Sequence, residues 1–303
     1  MNIAIVSHDA GGAEILSSWA SHQNKNYCLV LEGPAIEIFR KKLDCQINLP
    51  LELAIQQSDW VLCGTSWQSD LESRAIRLCK SSGKRVIAFL DHWVNYRERF
   101  LNNGELILPD EIWVGDEIAE RIARNIFPSA HLVRLSNPYF EDIVLEIKKA
   151  KPLINSLHQK SILYVCEPIR AHALLQHGDE RYWGYTEEEA LNFFLKNRGL
   201  LEYPVHKITI RPHPSEKRDK YDWTRDYSDL IVVSDGNQTL IEEISEADII
   251  VGCESMAMVI GLIAKKRVIS SIPPGGRACS LPQKEIEHLQ NIVSQNTEMN
   301  HAI

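Results

Sequence analysis

The stretch SEADIIVGCESMAMVIGLIAKKRVIS, residues 245–270, decides the fold class of this chain. A β-branched apolar run ends at Gly252, a small apolar segment of helical character follows it, and a second β-branched run ends at Ser270. A short apolar run bounded by turn residues predicts a buried strand, and a strand, a helix and another strand in succession predict parallel pairing. The sequence therefore predicts an α/β fold built on parallel sheets.

The same alternation continues on both sides of this stretch. Strands are predicted at residues 2–7, 26–31, 60–63, 85–90, 111–114 and 131–134 in the first half of the chain, and at 161–166, 206–210, 230–233, 249–252 and 267–271 in the second. Helices are predicted at residues 13–21, 69–82, 116–125, 186–197, 239–246, 255–264 and 282–294. The charged segment EIKKAKPLINSLHQK, residues 146–160, contains Pro152 and is the predicted linker. We therefore expect two Rossmann-like domains, residues 1–147 and 148–303.

Composition narrows the class of protein. The 303 residues are 44% hydrophobic and 24% charged, which is typical of a soluble globular protein. A net charge of -8 argues against a general nucleic-acid binder. The sequence shows neither a signal-peptide pattern nor an apolar run of the roughly 18 to 20 residues that a membrane span needs, so we expect a cytoplasmic protein. The seven cysteines are scattered without a CxxC pair, which favours buried free thiols.

A rigid turn follows one strand of the second half. The segment KITIRPHPSEK, residues 207–217, ends its strand in Arg-Pro-His-Pro. Two prolines restrict the backbone, so Arg211 and His213 are expected to project in fixed directions from the carboxyl edge of the sheet, where open α/β sheets bind ligands. Arginine suits phosphate and histidine supplies a donor, so the turn is a candidate phosphate site; local pairing with carboxylates is the alternative.

A second candidate phosphate site lies where the strand ending at Gly252 meets the next helix. Ser255 is expected near the helix start, where backbone amides and the helix dipole favour a phosphate oxygen. Glu254 is a candidate to face a pair of ribose hydroxyls. An ordinary helix cap is the alternative.

Together these motifs resemble the C-terminal half of GT-B glycosyltransferases, and most of all bacterial capsule and lipopolysaccharide enzymes of the polysialyltransferase and Kdo-transferase kind. The resemblance covers roughly residues 160–275, and it implies two Rossmann-like domains facing across a cleft, with the donor in the second domain and the acceptor in the first. It implies that His213 and Ser255 hold the phosphate of a CMP-sugar, and that chemistry needs neither a metal nor another cofactor. The expected donor site comprises Glu167, Arg211, His213, Glu254, Ser255 and Met256.

The polar segment that follows Glu167 is open to two interpretations. IRAHALLQHGDERYWGYTEEE, residues 169–189, is expected to be a long connection that closes on the donor. His172, His177 and Asp179 lie within it, but their spacing matches no recognised metal-ligand pattern. A mobile loop is therefore favoured over a metal site.

Three loops of the first half are candidates for the acceptor site. If the first sheet has the doubly wound order 3-2-1-4-5-6, the loops SHDAGGAE (residues 7–14) and CGTSWQSDLE (63–72) flank one crevice. The loop FLDHWVNYRERF, residues 89–100, carries aromatic and polar groups that suit a sugar, although its aromatic residues could instead be buried. The expected acceptor-binding residues are His8, Gly11, Gly12, Ser66, Asp91, His92, Asn95 and Arg99.

The glycines of SHDAGGAE match neither GxGxxG nor GxxxxGK[ST], so this loop is not predicted to bind phosphate. Gly11 and Gly12 permit a tight turn and close approach by a ligand. Asp9 is the predicted base that takes a proton from the acceptor hydroxyl, with His8, Glu14 and Asp91 as alternates. Asp9 could instead cap the following helix.

The sequence thus predicts a metal-independent glycosyltransferase of capsule or lipopolysaccharide biosynthesis, with Asp9 and His213 as its catalytic residues. Its partners are a nucleotide-sugar donor and a glycan or glycolipid acceptor, without nucleic acid. If the acceptor is a glycolipid, we expect the protein to act at the inner face of the membrane. The alternatives are a sugar-nucleotide 2-epimerase or hydrolase, against which the absence of an HRREN-like stretch argues, and a non-catalytic nucleotide-sugar-binding subunit. The sequence leaves the oligomeric state open.

Overall fold

A computed structural model describes residues 2–23, 25–43, 48–66, 69–102, 104–150 and 159–301. The chain separates into two compact units, Met1–Asp142 and Ile143–Ile303. This division and the predicted boundary after residue 147 lie in the same helix, α6 (Pro138–Lys149). The predicted linker at 146–160 therefore begins as helix, and its residues 151–158 lie outside the described ranges.

The first unit is built on a six-stranded parallel sheet. Its strands are β1 (Asn2–Ser7), β2 (Asn26–Leu31), β3 (Trp60–Cys63), β4 (Val86–Leu90), β7 (Glu111–Val114) and β8 (Leu132–Arg134), in the order β2-β1-β3-β4-β7-β8. A two-stranded antiparallel ribbon, β5 (Leu101–Asn102) and β6 (Glu105–Leu106), was not expected from the sequence. The helices are α1 (Ala10–Ser21), α2 (Ala35–Lys42), α3 (Leu51–Gln57), α4 (Leu71–Ser82), α5 (Glu117–Ile126) and α6.

The order of this sheet corrects the one considered from the sequence. The third strand, β3, pairs directly with β1, and β2 lies on the other side of β1. The strands β1, β2 and β3 all contain apolar runs, so their local patterns do not say on which side of β1 the third strand packs. The sheet has the order in which the connections reverse direction between β1 and β3, and the loops that follow these strands lie at that point.

The second unit contains another six-stranded parallel sheet. Its strands are β9 (Lys160–Val165), β10 (Val205–Arg211), β11 (Ile231–Val233), β12 (Ile249–Gly252), β13 (Arg267–Ser270) and β14 (Glu287–His288), in the order β11-β10-β9-β12-β13-β14. The helices are α7 (Ile169–His177), α8 (Glu187–Asn197), α9 (Leu240–Glu246), α10 (Met256–Ile263) and α11 (Leu289–His301). Here the connections reverse between β9 and β12, which confirms a Rossmann-like sheet.

Two predicted elements of this unit are wrong. The helix predicted at 282–294 begins only at Leu289, because Glu287 and His288 join the sheet edge as β14. The Glu287 carboxylate also accepts from Nε and Nη2 of Arg267 in the neighbouring strand at 2.8 and 2.7 Å. The segment 169–189 is not one long connection, because its first part is helix α7. Helix α7 ends at Gly178, whose φ of 72° lies in the left-handed region that glycine adopts readily.

Local sequence explains where several helices begin. Thr186 and Glu189 form a capping box at the start of α8, and Thr239 and Glu242 form another at the start of α9. No helix within the described ranges is long and apolar enough to cross a membrane.

Candidate functional site

The carboxyl edge of the first sheet gathers a group of polar side chains that we call the His8 cluster: His8, Asp9, Ser66 and Glu72. His8 and Asp9 follow β1, Ser66 follows β3, and Glu72 lies in the first turn of α4. Because β1 and β3 are parallel neighbours, their following loops lie side by side. The structure therefore brings together SHDAGGAE and CGTSWQSDLE, two of the three loops expected to form the acceptor site.

His8 and Asp9 form a hydrogen-bonded pair within this cluster. His8 Nδ1 lies 2.7 Å from Asp9 Oδ1, and the Ser66 hydroxyl donates to the same oxygen at 2.7 Å. Asp9 precedes α1 but makes no side-chain bond to the helix, so its carboxylate is engaged by His8 and Ser66 instead of acting as a cap. Since a carboxylate accepts hydrogen bonds, Nδ1 of a neutral His8 carries the hydrogen and Nε2 carries the free lone pair.

The far edge of the His8 ring lies over a glycine. A Cβ atom at Gly33 would be 2.8 Å from His8 Nε2, and Gly33 has φ of 52°. A side chain at this position would therefore cover the nitrogen that bears the lone pair. The His8 side chain is 20% exposed, and its backbone N–H donates to Glu72 Oε1 at 2.7 Å. This arrangement fixes the imidazole, and within the part of the chain that the structure describes only Nδ1 of the ring has a hydrogen-bond partner.

The third expected acceptor loop is held together by a buried ion pair. Asp91 accepts from Arg99, and the two side chains are 9% and 5% exposed. Arg99 also donates to the backbone oxygen and the hydroxyl of Thr65 at 2.9 and 2.8 Å. Arg99 is therefore committed to contacts within the protein, and Asp91 is its counter-ion.

The aromatic side chains of this loop are not available as a sugar platform. Trp93 is 7% exposed and donates to Asp116 at 3.0 Å, and Tyr96 is 1% exposed. Both are buried, so the suggestion that they present faces to a sugar is wrong. His92 packs edge-on against Trp93 at 5.4 Å between ring centroids, whereas Asn95 is exposed with φ of 58°.

Gly11 and Gly12 lie in the first turn of α1, so the predicted tight turn is replaced by the start of a helix. A Cβ atom at Gly11 would be 2.1 Å from Asp91 Oδ2, and one at Gly12 would be 3.4 Å from Gly64 Cα. The close neighbours of these glycines are thus protein atoms. Glu14 pairs with Lys42 at 2.8 Å and is not one of the residues that contact His8 or Asp9.

His213 lies at the carboxyl edge of the second sheet, in the turn that follows β10. Its Nδ1 accepts from the backbone N–H of Ser215 at 3.2 Å and lies 2.7 Å from the Ser215 hydroxyl. Because Nδ1 is an acceptor, Nε2 of the neutral ring carries the hydrogen. Burial lowers the pKa of His213, so the neutral form is favoured near pH 7.

Glu216 holds the turn that carries His213. One carboxylate oxygen accepts the backbone N–H of His213 at 2.9 Å, and the other accepts from Lys220 at 2.7 Å and from the Tyr221 hydroxyl at 2.9 Å. A cavity of about 260 Å³ lies beside this turn, lined by Arg211, Pro212, His213, Pro214, Glu216, Ser234, Asp235 and Gly236. Two of the expected donor residues, Arg211 and His213, thus line one cavity.

Arg211 has an internal partner as well. Its Nη1 donates to Glu243 at 2.6 Å and to the backbone oxygen of Gln238 at 3.2 Å. The guanidinium is therefore partly engaged, in the manner of the alternative considered from the sequence.

The backbone just before α10 is hydrogen-bonded to a carboxylate of the protein itself. Glu167 Oε1 accepts the backbone N–H groups of Cys253 and Glu254 at 3.0 and 2.8 Å, and burial raises the pKa of Glu167 to about 7. The Glu254 carboxylate accepts from Arg277 and from the backbone N–H of Ser280 at 2.9 Å. The two amides that meet Glu167 thus lie just before the helix start at Ser255, and the carboxylate expected to face a ribose meets Arg277.

Ser255 and Met256 stand at the same helix start. Ser255 precedes α10 without a side-chain cap bond, and its hydroxyl has no hydrogen-bond partner among the described residues. Met256 is the first residue of the helix and is half-buried. The roles predicted for both stay predictions.

The histidines of α7 make ring contacts. The His172 ring lies edge-on to His213 at 6.5 Å between centroids, and His177 stacks on Tyr182 at 3.5 Å. Within the described ranges, no group of three or more His, Cys, Asp and Glu side chains is arranged to hold a metal ion.

Comparison with known proteins agrees with this fold. No family model matches the sequence, and no curated protein matches it either. Among solved structures, the Methanocaldococcus jannaschii UDP-GlcNAc 2-epimerase in complex with UDP-GlcNAc and UDP is 12% identical, with 99% of this chain and 92% of that chain covered and a TM-score of 0.59. For the Neisseria meningitidis UDP-GlcNAc 2-epimerase bound to UDP-GlcNAc, the values are 13%, 99%, 92% and 0.57, and for Acinetobacter baumannii MurG they are 11%, 99%, 91% and 0.53. At such identities the likeness establishes the two-domain Rossmann-like fold alone.

Sequence reasoning missed several residues of these clusters. Glu72 and Glu216 lie inside the quoted segments, but no local signal marks a glutamate as buried. Gly33 stands between β2 and α2, where a glycine is unremarkable until the His8 ring is seen above it. Glu72 and Gly33 approach His8 through tertiary structure, whereas Glu216 contacts His213 within one turn.

Proposed function

We propose that the protein is a glycosyltransferase that moves a sugar from a nucleotide donor to a hydroxyl group of an acceptor. The observation that carries this proposal is the His8–Asp9 pair, in which a carboxylate holds Nδ1 of an imidazole and Nε2 is left as a base. In this proposal the first domain activates the acceptor and the second domain binds the donor.

His8 replaces Asp9 as the proposed base. Its Nε2 takes the proton of the acceptor hydroxyl as the oxygen attacks the anomeric carbon, and the resulting imidazolium is stabilised by Asp9. Asp9 accepts hydrogen bonds from both His8 and Ser66, so its role is to orient the imidazole and to balance its charge. Because His8 is held in one tautomer, the lone pair of Nε2 has a fixed direction, and this favours removal of the proton from the acceptor hydroxyl.

His213 is the proposed partner of the leaving phosphate. As the bond between the anomeric carbon and the phosphate oxygen breaks, its electrons pass to the nucleotide, and Nε2–H of His213 donates a hydrogen bond to that oxygen. The bond from the Ser215 amide to Nδ1 supports this direction of the ring. Arg211 lines the same cavity and supplies positive charge.

For the donor we propose a CMP-linked acidic sugar such as a nonulosonate or Kdo, and for the acceptor a glycan of a capsule or lipopolysaccharide. This choice rests on the resemblance of RPHP and CES to capsule and lipopolysaccharide enzymes. We propose that the reaction needs no metal and takes place in the cytoplasm, at the inner face of the membrane when the acceptor is a glycolipid.

A thermal-shift screen with CMP, CDP, UDP, GDP and ADP tests donor binding. A nucleotide that binds only the folded protein raises the Tm by mass action. We expect CMP to give the largest shift and His213→Ala to remove it. His206 is exposed in β10, the strand that precedes the His213 turn, so His206→Ala is the matched control and should keep the shift.

Turnover of the donor that the screen identifies tests the base. We expect His8→Gln to lower transfer by at least a hundredfold while the nucleotide shift persists. His131→Gln, at an exposed histidine of the same domain, should leave transfer unchanged. Full transfer by His8→Gln would refute the assigned base. Turnover that is independent of any acceptor would indicate a hydrolase or epimerase, and binding without turnover would indicate a non-catalytic subunit.

A further inference from the structure

Glu72 is a buried carboxylate beneath the His8–Asp9 pair. The residue is 3% exposed, Oε1 accepts the His8 backbone N–H at 2.7 Å, and Oε2 has no hydrogen-bond partner among the described residues. Ser7 is fully buried, and its hydroxyl is likewise unpartnered there. Both groups face Gly64, where a Cβ atom would be 3.4 Å from Ser7 Oγ and 3.7 Å from Glu72 Oε1.

Burial of this carboxylate is costly for the fold. Removing a charge from water without a counter-ion costs several kcal/mol, and a half-satisfied carboxylate recovers only part of that cost. The exposed Asp70, just before the first turn of the same helix, already supplies a negative charge at that end of α4. The helix dipole therefore does not account for the buried position of Glu72.

The groups that act electrostatically on Glu72 come from the two strands that carry the cluster. Asp9 and His8 follow β1, and the Cys63 thiol ends β3. Burial is the main cause that raises the pKa of Glu72 to about 7, with Asp9 adding to it and His8 opposing it. Glu72 is thus coupled to both members of the pair as well as bonded to the backbone of one.

We propose that Glu72 is a positioning residue of the His8 base, which fixes the His8 backbone through the amide bond and sets the proton affinity of the imidazole through its charge. This inference rests on the proposed function, because it gives Glu72 its role through His8. An ionised Glu72 favours the imidazolium form of His8 and so makes Nε2 a stronger base. A neutral residue at position 72 lacks this charge, whether or not it can still accept the hydrogen bond from the His8 backbone N–H.

Three variants separate these contributions. Glu72→Gln keeps an oxygen for the His8 N–H and removes the charge, whereas Glu72→Ala removes both. Asp70→Asn removes an exposed carboxylate two positions earlier and is the matched control. Nitrogen NMR of protein labelled at histidine nitrogens reports tautomer and titration, with His8→Gln identifying the His8 signals.

We expect the His8 titration to move to lower pH in Glu72→Gln, because the carboxylate charge that favours the imidazolium is removed. The Nδ1–H tautomer should persist in Glu72→Gln and become a mixture in Glu72→Ala, while Asp70→Asn should match the parent protein. In transfer assays the acid limb of the pH profile should move to lower pH in Glu72→Gln, and Glu72→Ala should lose tenfold or more in kcat.

An unchanged His8 titration in Glu72→Gln would overturn the inference, and this holds even if Glu72→Ala does not fold. Loss of kcat with an unshifted pH profile would overturn it too, since a purely structural role produces that result. If His8→Gln keeps full transfer, the proposed base is wrong, and that outcome is distinct because the NMR titration still reports the coupling of Glu72 to His8.

Discussion

Replacing Glu167 by glutamine tests whether a buried carboxyl makes the stability of the second domain depend on pH. Glu167 accepts two backbone N–H groups, and burial raises its pKa from 4.5 to about 7. The folded state therefore binds this proton more tightly than the unfolded chain. Its contribution to the free energy of unfolding is fully present below about pH 4.5 and is lost as the pH rises through 7.

The magnitude follows from the two pKa values. They differ by about 2.5, which corresponds to about 3 kcal/mol for the complete change at 1.36 kcal/mol per pH unit. Roughly 2 to 3 kcal/mol of this is lost between pH 5 and pH 8. Glutamine keeps an oxygen for the amides of Cys253 and Glu254 but does not titrate. The free energy of unfolding of Glu167→Gln should therefore rise by roughly 2 to 3 kcal/mol relative to the parent protein between these pH values.

Urea unfolding at pH 5, 6, 7 and 8, followed by circular dichroism, measures this difference. Free energies are added over the transitions if the two domains unfold separately. Glu285 is exposed, so Glu285→Gln is the matched control and should show the pH dependence of the parent protein. A constant difference between Glu167→Gln and the parent protein across this range would refute the reasoning.

Two further substitutions test the packing at the edge of the first sheet. Gly11→Ala should lower the free energy of unfolding in urea by about 2 kcal/mol, because the added Cβ would lie 2.1 Å from the Asp91 carboxylate. Gly199→Ala, with open space around it, is the control and should change the free energy by no more than about 0.5 kcal/mol. Equal effects of the two substitutions would contradict the close-packing account. Arg99→Met should lower the free energy of unfolding by about 3 to 5 kcal/mol, because it leaves Asp91 buried without its counter-ion. Arg97 is exposed, so Arg97→Met is the control. A loss no larger than that of the control would show that the ion pair does not stabilise this loop.

Much of the fold was predictable from local patterns. Each strand expected from an apolar run is present, and the strand at 249–252 has the predicted bounds. The predicted elements do not include helices α2, α3, α6 and α7, the short ribbon of β5 and β6 or the edge strand β14, and helix α11 begins later than predicted. Two-residue strands such as β14 have almost no pattern of their own, and they form because a neighbouring edge pairs with them.

The candidate site was predictable only as a set of loops. The segments SHDAGGAE and CGTSWQSDLE do meet, because parallel strands place their following loops at one edge. The partners within that set were not predictable. Asp9 is hydrogen-bonded to His8, and Arg99 forms an ion pair with Asp91. Glu167 binds the amides of Cys253 and Glu254, just before the helix start at which a phosphate was expected.

The sequence by itself determined that the chain forms two α/β units, because burial of a strand and the amphipathic character of a helix are written in neighbouring residues. Tertiary structure alone decided the sheet order and the pairing of polar side chains. His8 and Glu72, for example, are 64 positions apart and meet only because β3 packs beside β1. Burial and the choice of hydrogen-bond partner depend on such distant neighbours, and these two factors turn His8 from one of several candidates into the proposed base.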